Sequence, residues 1–253
     1  MQLYKYQATG NDFIIIDDRN DEFIRDKVNI LCDRRFGIGA DGLILLKKSY
    51  SYDFKMIYYN SDGKESSMCG NGGSCIVAFA KKIGLINNTS TFEAIDGVHS
   101  SEILGEQVKL KMCDVYEIIS HEDHFFLDTG SPHYIKRVDD VKVIDVVKKG
   151  AEIRYGKQYS KHGVNVNFLE LKNSGELFIR TYERGVENET LGCGTGAVAA
   201  AIVSRKMNWI KAQEILVNTL GGSLRVSFEN ERDTFKNIYL TAKPTFIFET
   251  SID

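Results

Sequence analysis

The sequence predicts an α+β fold of two pseudo-symmetric domains, each a mostly antiparallel sheet wrapped around one central helix. Three observations predict it. Most segments read as short strands rich in β-branched and aromatic residues, separated by clusters of Gly, Asn, Asp and Ser. Four segments read as helices, and neither Pro132 nor Pro244 interrupts them. Two of those helices, one in each half, open in nearly the same way: "MCGNGGS" at Met68–Ser74 and "GCGTGAV" at Gly192–Val198.

Taken in order, the first half offers the strands "DFIIIDD", "GLILLKK" and "DFKMIYYN", with a helix expected over Arg25–Arg34 between the first two. A helix over Cys69–Ile83 follows, then "TFEAIDG" and "QVKLKM". The second half runs through "HFFLDTG", "HYIKRV", a helix over Ile144–Arg154, "VNVNFLEL" and "ELFIRTYE". After a helix over Cys193–Lys206 come "EILVN", "SLRVSF" and "NIYLTA", and "TFIFE" closes the chain.

Spacing supports a repeat. Cys69 and Cys193 are 124 positions apart, and so are the turn glycines Gly97 and Gly221 that follow them. Earlier, "TGNDFIII" at Thr9 faces "TGSPHYI" at Thr129, an offset of 120. The expected domains are 1–115, carrying Cys69, and 116–243, carrying Cys193. Residues 244–253 form a terminal strand that could pack back on the N-terminal half.

Composition narrows the function. The 253 residues carry 32 basic and 35 acidic side chains, net −3, and the lysine pairs are scattered, so no nucleic-acid partner is expected. No apolar run approaches the roughly 18 residues of a membrane span, and the first residues lack a signal-peptide pattern. Five cysteines without CxxC spacing argue against a disulfide framework and a zinc site, so no metal is expected. A cytoplasmic protein follows. Cys32, Cys75 and Cys113 read as buried small hydrophobes. Cys75 lies about 240° around the helix from Cys69, so those two share no face.

The two cysteines at helix starts read differently. Gly70 and Gly72, like Gly194 and Gly196, leave backbone N–H groups open ahead of the helix. Such N–H groups and the helix dipole favour an anion and lower a thiol pKa. Each site thus offers a proton-exchanging thiol beside a carboxylate cradle. If the helix starts share one cleft, one thiolate removes an α-proton and the opposite thiol returns one to the other face, inverting a stereocentre. Preorganised N–H dipoles would have to stabilise the carbanion-like transition state. No lysine setting suggests a pyridoxal group, so no cofactor is expected.

Polar residues extend the site. Asn60 and Asp62 precede Cys69, and Glu183 and Arg184 precede Cys193. Arg184 can grip a carboxylate bidentately, and Glu183 can accept from an ammonium group. Asn11 and Asn165 sit in turns where either could bind amine or carboxylate, and His133, near a thiol, and Glu183 could assist proton transfer.

Together these stretches resemble the diaminopimelate epimerase family. The residues that carry the resemblance are "GNDFIIID" at Gly10–Asp17, "GIGADG" at Gly37–Gly42, "YNSDGKESSMCGNG" at Tyr59–Gly72, "GSPH" at Gly130–His133, "GVNVNF" at Gly163–Phe168 and "YERGVENETLGCGTGA" at Tyr182–Ala197. The resemblance implies two mirrored domains and conversion of LL- to meso-diaminopimelate by two cysteines, without cofactor, in lysine and cell-wall precursor synthesis. By position it makes Cys69 and Cys193 the proton-transfer pair. Gly70, Asn71, Gly194 and Thr195 become the helix-start cradles, and Asn11, Asn60, Asn165, Glu183 and Arg184 substrate ligands. Two positions depart from the common pattern. Gly42 stands where many relatives have a substrate-contacting Gln, and Ser131, which can still hydrogen-bond, where they have Asn. The expected partner is therefore a small molecule, with a homodimer left open. The alternatives are a racemase of another amino acid on the same fold, a catalytically silent small-acid binder, and a redox protein using Cys69 and Cys193.

Overall fold

The computed structural model describes residues 1–66, 68–172 and 175–252. Ser67, inside the motif before Cys69, and Asp253, at the end of the terminal segment, fall outside them. The chain divides into two compact units, Met1–Leu110 with Ala242–Asp253, and Lys111–Thr241.

In the first unit the elements are β1 (Gln2–Ala8), β2 (Asn11–Asp17), α1 (Val28–Cys32), β3 (Gly42–Lys47), β4 (Phe54–Asn60), α2 (Gly70–Lys82), β5 (Thr89–Ala94), β6 (Gly97–Leu104) and β7 (Gln107–Lys111). Neighbours along the sheet pair in that order, β1 through β7. The terminal strand Thr245–Ser251 pairs antiparallel with β1. Two pairs are parallel, β2 with β3 and β4 with β5. They are the pairs joined through a helix, because a parallel pair needs a crossover. α1 packs on one face of the β2–β3 pair, against Ile14, Ile16, Leu43 and Leu45, and α2 on the other, where Gly72 lies against Ile44. Phe13–Ile16 and Gly42–Leu46 are all buried, which explains their unbroken apolar runs.

α1 is shorter than the expected Arg25–Arg34 helix. It begins after a 3₁₀ turn at Arg25–Lys27 and ends at Cys32. The Asp33 carboxylate accepts from the backbone N–H of Arg35 and Phe36 and stops the helix by offering the backbone another partner. Leu31 and Cys32 pack with Leu3, Ile14, Leu43 and Tyr59. Burial pushes the Cys32 thiol up to about 12.

The second unit contains β8 (Ile119–Ser120), β9 (Phe125–Asp128), β10 (Pro132–Arg137), α3 (Val146–Arg154), β11 (Asn165–Leu171), β12 (Leu177–Glu183), β13 (Asn188–Thr190), α4 (Gly194–Lys206), β14 (Glu214–Thr219), β15 (Gly222–Glu231) and β16 (Thr234–Ala242). Its sheet runs β9-β10-β11-β12-β14-β15-β16. The parallel pairs are β10–β11 and β12–β14. Strand for strand this is the order of the first unit, with α4 standing where α2 stands. Both central helices have 13 residues, and each has its cysteine at the N-cap in extended conformation.

The central helices are apolar nearly all round, as helices enclosed by a sheet must be. In α2 every residue from Gly70 to Val77 is buried, and in α4 every residue from Gly196 to Ser204. Met112 N–H donates to Ile238 O, and Val115 pairs with Phe235, which attaches this segment to the second unit. Cys113 departs from its expected burial. It is exposed, because Met112 and Val115 on either side turn inward. Among the described residues no helix is long and apolar enough to cross a membrane.

Asp12 follows Asn11 at the start of β2 and carries a testable charge. Burial alone would raise its pKa, but hydrogen bonds and charge from Arg34 and Lys5 outweigh burial and hold it at about 2. Lys5 and Arg34 both lie 2.7 Å from its carboxylate. Its folded value lies below the unfolded value of about 3.9, so its contribution to stability is present above that value and is lost as pH falls through the folded one. Urea unfolding midpoints should fall between about pH 5 and pH 2, and Asp12→Asn should flatten that part of the fall.

Candidate active site

The first unit builds its thiol site at the N-terminus of α2. A tight turn at Thr9 (φ 48) and Gly10 (φ 78) joins β1 to β2 and delivers Asn11 to the helix start. The pair of left-handed residues is what a two-residue hairpin requires. Asn11 Nδ2 donates to Asp41 Oδ2 at 2.7 Å, which turns Asn11 Oδ1 toward Cys69 Sγ, 3.5 Å away. Thr9 Oγ1 donates to Asn71 Oδ1 at 3.3 Å and anchors the first turn of α2. Gly72 lies against Ile44, whose Cδ1 would sit 3.1 Å from a Cβ placed there. Asn60 ends β4, opposite Gly42 in the antiparallel register.

The second unit builds its site from three neighbouring strands and α4. β10 carries His133 and lies beside Asn165 of β11. Ser131 Oγ is 3.1 Å from His133 Nε2, 3.1 Å from Asn165 Nδ2 and 3.3 Å from Thr195 Oγ1. Thr195 Oγ1 in turn lies 3.5 Å from Cys193 Sγ, and Gly196 N–H donates to that sulfur at 3.4 Å. Asn165 Oδ1 accepts from Arg184 N–H at 2.8 Å. Arg184 Nη1 donates to His162 O at 3.0 Å. Arg184 passes close to Gly163: a Cβ there would be 2.5 Å from Arg184 Cδ, and Gly163 has φ +74. Glu183 Oε2 accepts from Thr190 Oγ1 at 3.0 Å.

The residues singled out in the sequence thus fall into two groups. Asn11, Asn71 and Cys69 meet in the first unit, with Gly70 between them at the helix start and Asn60 at the end of β4. Ser131, His133, Asn165, Cys193 and Thr195 meet in the second, with Gly194 beside the thiol and Arg184 joined by its backbone. His133 is linked to Cys193 through Ser131 and Thr195, each within hydrogen-bond distance of the next. It is fully buried, and burial, aided by the charge of Arg184, pushes it down to about 3. His133 is therefore a neutral imidazole near neutral pH.

Four residues were not picked out from the sequence: Thr9, Asp41, Asn167 and Tyr58. Asn167 had a signal, since it lies two residues after Asn165 in "GVNVNF" and so shares its face of β11. Thr9 had one in its match to Thr129, whose Oγ1 donates to Thr195 O at 3.0 Å. Asp41 had one in its place within "GIGADG", and Tyr58 had none.

Tyr58 explains Gly42. A Cβ at position 42 would lie 2.5 Å from Tyr58 Cε2 and 2.6 Å from Tyr59 O. The tyrosine ring and the β4 backbone together fill the space. Gly42→Ala is expected to destabilise the protein by about 1–3 kcal/mol. Adding Tyr58→Ala should return only part of that, since the Tyr59 carbonyl remains. A double-mutant cycle on urea denaturation measures both terms.

The chain matches known proteins in sequence and in fold. A family model described as diaminopimelate epimerase matches residues 3–117 and 125–247. The chain is 51% identical, over the whole of both chains, to a diaminopimelate epimerase of Flavobacterium psychrophilum. It is 42% identical to that of Chlorobaculum tepidum, with 97% of this chain and 98% of the relative covered. Among solved structures, a PhzF-family phenazine biosynthesis protein of Bacillus anthracis superposes with a TM-score of 0.81 at 13% identity. That match covers 100% of this chain and 98% of the other, and it shows a shared fold.

Proposed function

Since this chain belongs to the diaminopimelate epimerase family and is an isomerase, we propose that it interconverts LL- and meso-diaminopimelate by passing protons through Cys69 and Cys193. One observation carries the assignment of residues. Two units of the same strand order each present a cysteine at the N-cap of the central helix, with hydrogen-bonding partners for its sulfur.

The chemistry then balances with these two groups. One sulfur, as thiolate, takes the α-proton and becomes a thiol. The electron pair left on Cα is stabilised with its carboxylate by the open N–H groups of a helix start. The other sulfur, as thiol, gives its proton to the opposite face and becomes a thiolate. One proton leaves and one arrives, and the thiol and thiolate have exchanged places. The proposal draws on no cofactor. Arg184 and Glu183 are assigned to the substrate's carboxylate and ammonium groups. The reaction is placed in the cytoplasm, whose reducing medium keeps both thiols reduced.

Incubating reduced protein with LL-diaminopimelate in D₂O tests the reading. Deuterium should enter Cα of the product as the meso form accumulates. Binding without deuterium uptake would make the chain a small-acid binder, and uptake only with another amino acid would make it a racemase of that acid.

A further inference from the structure

The turn that carries Glu183 and Arg184 rests on an ion pair outside the proposed chemistry. Glu187 N–H donates to Glu183 O at 2.8 Å, which closes the turn after β12. Two residues of that turn are left-handed, Gly185 with φ 91 and Glu187 with φ 55. Glycine takes that conformation freely, but for a glutamate it costs energy. Such strain persists only where the surroundings hold the residue in place. Here the hold is the Glu187 carboxylate. Its Oε1 accepts from Gly185 N–H at 3.2 Å, within the turn, and from Arg154 Nε at 3.2 Å, at the end of α3. Arg154 Nη1 and Glu187 Oε2 are buried without a hydrogen bond among the described residues, so each charge is compensated chiefly by the other.

Arg154 also approaches Arg184. A Cβ on Gly163 would lie 2.5 Å from Arg184 Cδ and 2.9 Å from Arg154 Cζ, so the two side chains converge on one point. Two cations that close repel unless one of them is neutralised. Glu187 neutralises Arg154. Arg184 keeps its charge: its Nη1 donates to the neutral His162 O at 3.0 Å, and among the described residues no carboxylate lies within ion-pair distance of it. After burial, the Arg184 charge is what depresses His133.

We propose that Arg154 and Glu187 are positioning residues for the specificity of this site. The pair locks the turn, sets Arg184 against Gly163 and, by cancelling the charge of Arg154, leaves Arg184 as the cation that reads the second carboxylate of a diamino-dicarboxylate substrate. The inference rests on the epimerase reading above and names what prepares its selectivity.

The test compares wild type, Glu187→Gln, Arg154→Met and the double variant on LL-diaminopimelate. Deuterium uptake into lysine, which lacks the second carboxylate, is followed beside it. Glu187→Gln should raise KM for diaminopimelate about tenfold or more, leave kcat within about threefold, and leave lysine uptake unchanged. Removing Glu187 sets the Arg154 charge against Arg184, so the double variant should do no worse than Glu187→Gln alone. Glu187→Gly removes the carboxylate and relieves the left-handed backbone, so it keeps the test decisive if Glu187→Gln folds poorly. It should show the same rise in KM, with thermal unfolding reporting that the fold is kept. An unchanged KM in both Glu187 variants, a fall in kcat as large as the rise in KM, an equal loss on lysine, or single effects that multiply in the double variant would each overturn the inference. If wild type does not turn over diaminopimelate, the epimerase reading itself falls, so the two failures are distinguishable.

Discussion

Cys69→Ala and Cys193→Ala are each expected to abolish epimerisation, with a loss of roughly 10²- to 10⁴-fold or more in kcat, because each sulfur serves one face of the α-carbon. Neither change should cost much stability. Cys69 is only partly buried, and alanine at either N-cap leaves the helix backbone bonds Gly73 N–H to Cys69 O and Ala197 N–H to Cys193 O in place. Thermal unfolding beside the epimerase assay separates the two effects. If either variant keeps more than about a tenth of wild-type turnover, one sulfur suffices and the two-base reading fails.

Arg184→Met is expected to erase a preference for diaminopimelate over lysine. A helix-start cradle can hold the carboxylate beside the reacting carbon, but the remote amino-carboxylate group needs its own anchor. Arg184 supplies a guanidinium at the end of β12, with its backbone pinned by Asn165 and its side chain running past Gly163. Losing a charge-assisted contact at a desolvated site costs about 2–4 kcal/mol, roughly 30- to 1000-fold in kcat/KM. Wild type should therefore turn over LL-diaminopimelate far better than lysine, and the methionine variant should not. Specificity constants for diaminopimelate, lysine, glutamate and histidine decide it. Equal or better turnover of lysine or histidine by wild type would leave only the racemase mechanism.

The parts of the fold that were legible in the sequence are those set by local chemistry. Gly-flanked Cys69 and Cys193 marked two helix starts to within a residue, since a cap is decided by its immediate neighbours. The strands declared themselves by β-branched runs. What was hidden depends on distant partners. That β2 lies parallel to β3 follows from the α1 crossover and not from any residue in either strand. Asp33 shortened α1 through a side-chain bond that pattern alone does not weigh. Cys113 was misplaced because burial there turns on which side of the chain Met112 and Val115 face. In the site, the list of residue types was readable, but the direction of its hydrogen bonds was not. His133 near a thiol suggested proton transfer, and only the structure shows that its ring is buried and lies 3.0 Å from the Asn167 amide.

The crowding at Gly42 has a consequence for how this chain can recombine with its relatives. Position 42 on β3 is shaped by two atoms of β4, the Tyr58 ring and the Tyr59 carbonyl, and not by anything within β3 itself. β3 and β4 therefore behave as one unit of inheritance. A chimera whose crossover falls between Lys47 and Phe54 would bring a foreign side chain at 42 against this β4, or this glycine beside a β4 that no longer fills the gap. The first leaves a collision and the second a void, although each parental strand is sound. A crossover outside Gly42–Asn60 carries the pair intact.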